Sequence, residues 1–217
     1  MTDKKLEPII EYYDDGKIKC AYSVDENGYM QGPYEEYREN GQFSQKCTFK
    51  DDKLEGPYEG YDKYGQLEVK YTCKNGKKEG SYESYYKNGQ LKEECTFKNG
   101  ETDGPYVSYY ENGQLFKKCT YKDGECDGPL EHYHPDGRLM QRTVYENGKA
   151  LNGQKAEEYL EKWKIQNPPD SKPERKGLNA RLAQMDKQMP PTQLRQSIKR
   201  AEVAKFRAKF PNKKDGR

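Results

Sequence analysis

The chain has 217 residues, 39 basic and 37 acidic side chains, a formal net charge of +2, and 31% hydrophobic residues that include 20 Tyr. Against roughly 45–50% apolar content in ordinary domains, this excludes a thick hydrophobic core, and no stretch approaches the ~20 apolar residues of a membrane-spanning helix. The charge is split along the chain: residues 1–154 carry 22 basic and 29 acidic side chains, net −7, while residues 155–217 carry 17 and 8, net +9.

Residues 1–10 read as a lead-in. Met1 to Tyr13 is charged and has no apolar run of signal-peptide length, so a cytoplasmic location is expected. Residues 11–31 form a degenerate first copy of a repeat, turning at Gly16 and serving as an end cap. Five regular copies follow at a spacing of 24 residues. Their opening glycines are Gly32, Gly56, Gly80, Gly104 and Gly128, and their turn glycines are Gly41, Gly65, Gly89, Gly113 and Gly137.

Each copy reads as two strands. The first is short and Tyr-rich, as in Pro105-Tyr106-Val107-Ser108-Tyr109-Tyr110. The second alternates, with Leu115, Cys119 and Tyr121 expected on one face and Lys118, Thr120 and Lys122 on the other. The same parity is expected to group Phe43 with Cys47 and Phe49, and Leu91 with Cys95 and Phe97. Asn88-Gly89 and Asn112-Gly113 supply the hairpin signal, because both residue types tolerate positive φ. Lys98-Asn99-Gly100 and Lys122-Asp123-Gly124 open the return to the next copy. The fold class expected is mainly β: a single-layer antiparallel meander of 24-residue hairpins over residues 1–153. Two strands per copy, each about 4.8 Å from the next, advance the array roughly 10 Å per repeat.

The pattern G-x-Y-x-x-Y-x-x-N-G-Q-L-x-x-x-x-x-Y/F-x-x-G resembles the MORN repeat and is similar to the variant in bacterial proteins of the YwqK antitoxin family. The resemblance spans roughly residues 8–153. It implies a single-layer β-meander that acts as a binding module.

Cys47, Cys95 and Cys119 share one repeat position, and Cys73 sits where Phe49 and Phe97 sit. Equivalent positions about 10 Å apart exceed the ~7 Å Cα limit for a disulfide, so these thiols are expected to be reduced apolar fillers. Cys126 is expected in a loop and is the candidate reactive thiol.

Period changes at residues 154–166. Ala156, Tyr159, Leu160 and Trp163 stand at i, i+3, i+4 and i+7, predicting an amphipathic helix whose Trp163 caps the open sheet edge. Pro168, Pro169 and Pro173 mark a linker over residues 167–177. Residues 178–217 read as a basic helical tail in which Arg195, Lys199, Arg200, Lys205, Arg207 and Lys209 could bind an anionic membrane, nucleic acid or the chain's own acidic sheet.

His132 and His134 share a strand face near Asp136 but lack a third ligand, so no metal site is expected. No nucleophile elbow, phosphate loop or His-Glu-x-x-His helix occurs, and neither a cofactor nor catalysis is expected. Two tyrosine columns remain: Tyr34, Tyr58, Tyr82 and Tyr106, and Tyr37, Tyr61, Tyr85, Tyr109 and Tyr133. One can pack while the other recognises; the second column is the candidate site for a protein partner. The reading is a non-enzymatic interaction scaffold, antitoxin- or immunity-like, with tethering of an anionic surface through the tail as the alternative.

Overall fold

The structure, a computed structural model, describes residues 6–167. The linker beyond Asn167 and the tail, with its six candidate cations from Arg195 to Lys209, lie outside the described residues. Fifteen strands follow in chain order: β1 (Pro8–Tyr12), β2 (Ile18–Ser23), β3 (Gly32–Tyr37), β4 (Phe43–Lys50), β5 (Lys53–Leu54), β6 (Gly56–Tyr61), β7 (Leu67–Lys74), β8 (Lys77–Tyr85), β9 (Leu91–Lys98), β10 (Glu101–Tyr109), β11 (Leu115–Lys122), β12 (Glu125–Cys126), β13 (Gly128–Tyr133), β14 (Leu139–Glu146) and β15 (Lys149–Leu151). One helix, α1 (Gly153–Gln166), closes the described chain. The strands form one antiparallel sheet in meander order, with β5 and β12 pairing only β4 and β11. The first strand begins at Pro8, inside the expected lead-in, because Pro8 to Glu11 pair in register with Ser23 to Cys20.

The two kinds of turn exchange the roles expected of them. The two-residue loops with positive φ at both positions are the return connections, Asn75-Gly76, Asn99-Gly100, Asp123-Gly124 and Asn147-Gly148; this is the primed geometry that matches strand twist. In the Asn-Gly-Gln turns only the glycine is left-handed, as at Gly89 (φ 79). There the Gly89 N–H donates to the Tyr86 carbonyl at 2.9 Å. Asn88 contributes its side chain instead: its Oδ1 accepts from the Gln90 N–H at 2.9 Å, and its amide donates to the Glu111 carbonyl of the next copy at 3.1 Å. Asn40 and Asn112 make the same inter-repeat link, to Lys63 and Pro135.

A bulge beside each of these turns corrects the face assignment. In the 104–121 hairpin, Ser108 lies opposite Lys117 and Tyr109 opposite Leu115, so Phe116 is an extra residue. The same shift occurs between Glu36 and Tyr37 and between Ser84 and Tyr85. Since a one-residue slip moves every later side chain to the other face, Phe43, Leu91 and Leu115 leave the face of Cys47, Cys95 and Cys119. The Phe43 ring instead lies 4.7 Å from Tyr37 and under the Lys46 ammonium at 3.9 Å.

The two tyrosine columns thus occupy opposite faces. The first face carries Tyr34 opposite Cys47, Tyr82 opposite Cys95 and Tyr106 opposite Cys119. Ring contacts run along it, Tyr58 to Tyr71 at 4.4 Å, Tyr71 to Tyr82 at 6.1 Å and Tyr82 to Phe97 at 5.6 Å. Beneath these rings Cys20, Cys47, Cys73, Cys95 and Cys119 are buried and free. Burial pushes the Cys47, Cys95 and Cys119 thiols up to about 12. Among the described residues no large side chain is fully buried. Columns of aromatic rings over small thiols therefore do the work that a second layer does elsewhere.

Cys126 lies in β12 rather than in a loop, paired opposite Tyr121, and is part-exposed. In α1, Ala156, Tyr159, Leu160 and Trp163 are the half-buried face, as their spacing predicts. The sheet ends in β15, which pairs the far side of β14, and α1 packs against β13 and β14. There Tyr159 donates to Asp127 Oδ1 at 2.6 Å, and the Trp163 indole rests on the bare Cα of Gly128.

Candidate interaction face

The second face holds all five candidate residues, Tyr37, Tyr61, Tyr85, Tyr109 and Tyr133. Their positions follow from strand alternation, which places each tyrosine two residues beyond position 35, 59, 83, 107 or 131. Where that position is glutamate, the phenol donates to it: Tyr37 to Glu35 at 2.7 Å, Tyr61 to Glu59 at 2.5 Å, Tyr133 to Glu131 at 2.6 Å, and Tyr85 to Glu83. In the fourth copy the position is Val107, and Tyr109 donates across the strand to Glu94 at 2.8 Å. Burial, then the bond to Glu131, pushes the Tyr133 hydroxyl up to about 12. Burial and then the bond to Glu83 raise Tyr85 well above the usual phenol range.

These glutamates belong to a transverse row that the residue-by-residue reading of the sequence missed. Successive strand pairings place Glu35 opposite Lys46, Lys46 opposite Glu59, Glu59 opposite Lys70 and Lys70 opposite Glu83. After Glu94 and Val107, the row resumes with Lys118, Glu131 and Arg142. It crosses ten strands, roughly 40 Å at about 4.8 Å per strand. Opposite charges directly across neighbouring strands stabilise a sheet by roughly 0.2–1 kcal/mol per pair. Contacts bear out the pairing: Lys70 reaches Glu83 at 3.2 Å, and Arg142 grips Glu131 Oε1 through two nitrogens at 2.8 and 2.6 Å. Burial opposes the Glu131 charge, but the Tyr133 and Arg142 bonds outweigh it and hold this carboxyl below its usual range. The signal was present in the sequence as a charged residue immediately before Cys47, Tyr71, Cys95, Cys119 and Thr143, once every 24 residues.

Elsewhere, His132 and His134 do not converge. The His132 ring lies 5.8 Å from Phe116, whereas His134 starts the turn to Arg138 and Asp136 pairs Arg138 at 2.8 Å. Among the described residues no group of three or more His, Cys, Asp or Glu side chains is placed to hold a metal ion.

A family model described as "MORN repeat variant" matches residues 30–51, 78–99 and 102–123. The unmatched stretch between the first two has the same hairpin geometry, with Gly56 opposite Cys73 as Gly32 lies opposite Phe49. No curated protein matches the chain. Among solved structures, "Crystal structure of GtfA/B complex bound to UDP and GlcNAc" is similar at 10% identity and a TM-score of 0.22, over 77% of this chain and 29% of that one, an overlap too loose to bear on fold or activity. Three stretches of one continuous 15-stranded meander are thus similar to the MORN repeat variant.

Proposed function

We propose that the protein is a non-enzymatic interaction scaffold that binds a protein partner, in the cytoplasm, through the face bearing Tyr37, Tyr61, Tyr85, Tyr109 and Tyr133. The observation that carries this reading is the transverse row itself: charged and phenolic groups held in register across ten strands of an open sheet. Aromatic side chains with fixed polar tips make good contact surfaces, since little side-chain entropy is lost on binding. An antitoxin- or immunity-type partner is the finer reading, supported by the resemblance of the repeat to the YwqK antitoxin variant.

The test is affinity capture from a source-cell lysate with the full-length protein and two full-length variants. Lys46→Glu with Lys118→Glu reverses two of the row's four cations, whereas Lys78→Gln alters the opposite face, where Lys78 lies 4.6 Å from the Tyr82 ring centre. A partner kept by the wild type and Lys78→Gln but lost by the row variant supports the reading. Equal capture by all three refutes it. The charge split of +9 against −7 favours one second reading, a tether to an anionic surface through the tail. Binding to anionic vesicles or RNA that is lost on Lys199→Glu with Arg200→Glu, and untouched by the row variant, would establish that reading instead.

A further inference from the structure

The transverse row alternates in sign except in one place. Glu83 lies opposite Glu94, and Glu94 opposite Val107, where the other copies put a cation beside each glutamate. The row consequently has five carboxylates and four cations and is one positive charge short. The shortfall is felt at an atom. Glu83 is only 7% exposed; its Oε2 takes Tyr85 and Lys70, while its Oε1 is buried and accepts no hydrogen bond. An unpaired oxygen on a buried carboxylate is costly. Beside it Glu94 accepts one bond, from Tyr109.

We propose that the Glu83–Glu94 pair is a docking site for an arginine of the chain's own basic segment, residues 193–210, which supplies Arg195, Arg200 and Arg207. Charge points to this occupant. Residues 168–217 carry 14 basic and 5 acidic side chains, net +9, and the array they leave carries an excess of acid. Reach allows it. The described chain ends at Asn167, after a helix packed on Gly128 of β13, and β13 lies three strand steps from β9, about 15 Å. The 25 residues from 168 to 192 could reach at most about 80–90 Å, several times this separation, so the length of the connection allows the segment to meet the site. Chemistry selects arginine over lysine: Glu94 is the part-exposed member of the pair, and a planar guanidinium offers its carboxylate two parallel donors, whereas an ammonium is a point charge. The site lies on the face assigned above to a partner, but its test needs no partner and stands or falls separately.

Trypsin cleaves after Arg195, Arg200 and Arg207, so docking is read as protection in the native full-length protein, with cleavage sites assigned by mass spectrometry. Glu94→Lys completes the alternation with the residue type found at positions 46, 70 and 118, and Glu94→Gln removes the charge without reversing it. At low salt, cleavage in the segment should speed up by about threefold or more in Glu94→Lys and by less in Glu94→Gln, in keeping with a partly exposed ion pair. The difference should vanish near 1 M salt, where the Debye length is about 3 Å. Equal cleavage in the wild type and in a Glu94→Lys protein with unchanged far-UV circular dichroism overturns the proposal. Protection that grows with protein concentration also overturns it, by assigning the segment to a second copy.

Discussion

Gly80 and Gly128 occupy equivalent positions, yet the same substitution should act on them in different ways. Both have positive φ, +81 and +99, so an alanine at either meets backbone strain of about 1–2 kcal/mol. At Gly80 a Cβ meets nothing within 4 Å. At Gly128 it would overlap the Trp163 indole at Nε1 and Cε2, with Cδ1 at 2.9 Å. The indole must leave this place, by turning out or by lifting α1 away, and either way its seat on Gly128 is lost. A Trp side chain covers roughly 200 Å², and about two thirds or more of Trp163 is out of water, so undocking forfeits at most about 3–4 kcal/mol at ~25 cal/mol per Å². Lifting α1 also breaks the Tyr159 bond to Asp127, for about 1 kcal/mol more. Trp163 is the only Trp in the chain, so its fluorescence reports helix docking alone. Gly128→Ala should shift the emission to the red and raise its quenching by acrylamide, while Gly80→Ala should lower thermal stability and leave the emission unchanged. Unaltered emission in Gly128→Ala would refute the docking of α1 on that glycine.

Alkali should destabilise the array. Cys47, Cys95 and Cys119 are raised by burial from 9.0 to about 12, and Tyr133 from 10.0 to about 12. The folded state therefore holds these protons more tightly than the unfolded chain. Their contribution to stability is complete below about pH 9 and is lost as pH rises toward 12; urea midpoints that hold steady from pH 8 to about 11 would contradict it. Iodoacetamide at neutral pH should modify part-exposed Cys126 well before the five buried thiols, as mass mapping of the adducts would reveal. Tyr85→Phe should cost more than Tyr133→Phe, by about 1 kcal/mol in denaturant titrations. Glu131 keeps its two-nitrogen Arg142 contact, while Glu83 keeps only Lys70 at 3.2 Å and already has an unpaired oxygen. Equal losses would contradict that ranking.

The period, the hairpins and the helix face at Ala156, Tyr159, Leu160 and Trp163 were legible because each rests on spacing, and spacing survives without coordinates. The bulge was not. Its extra residue is Ser44, Glu68, Lys92, Phe116 or Met140 in successive copies, and these share no size, charge or polarity that could mark the position. Alternation read through it assigns Leu91 and Leu115 to the thiol face, and both are apolar enough that either face accepts them. The tyrosine column was found by residue type, but its electrostatic partners were hidden for a different reason. Glu83 and Lys70 are 13 residues apart in sequence, and only strand register makes them neighbours.

That register also changes what the repeat means. A side chain of the row is stabilised by the copies on either side, so a substitution in one copy is felt by its neighbours and little farther, as expected of a quasi-one-dimensional array. The thiol face varies little in character between copies: Cys47, Cys95 and Cys119 are interchangeable fillers beneath rings. The charged face tolerates variation because each exchange is confined to two contacts. Departures such as Glu94 and Val107 can therefore persist in adjoining copies without unravelling the sheet, and they mark one place on a face whose other copies alternate in sign. Recognition by such an array does not need a pocket. It needs one place that breaks the pattern the other copies hold.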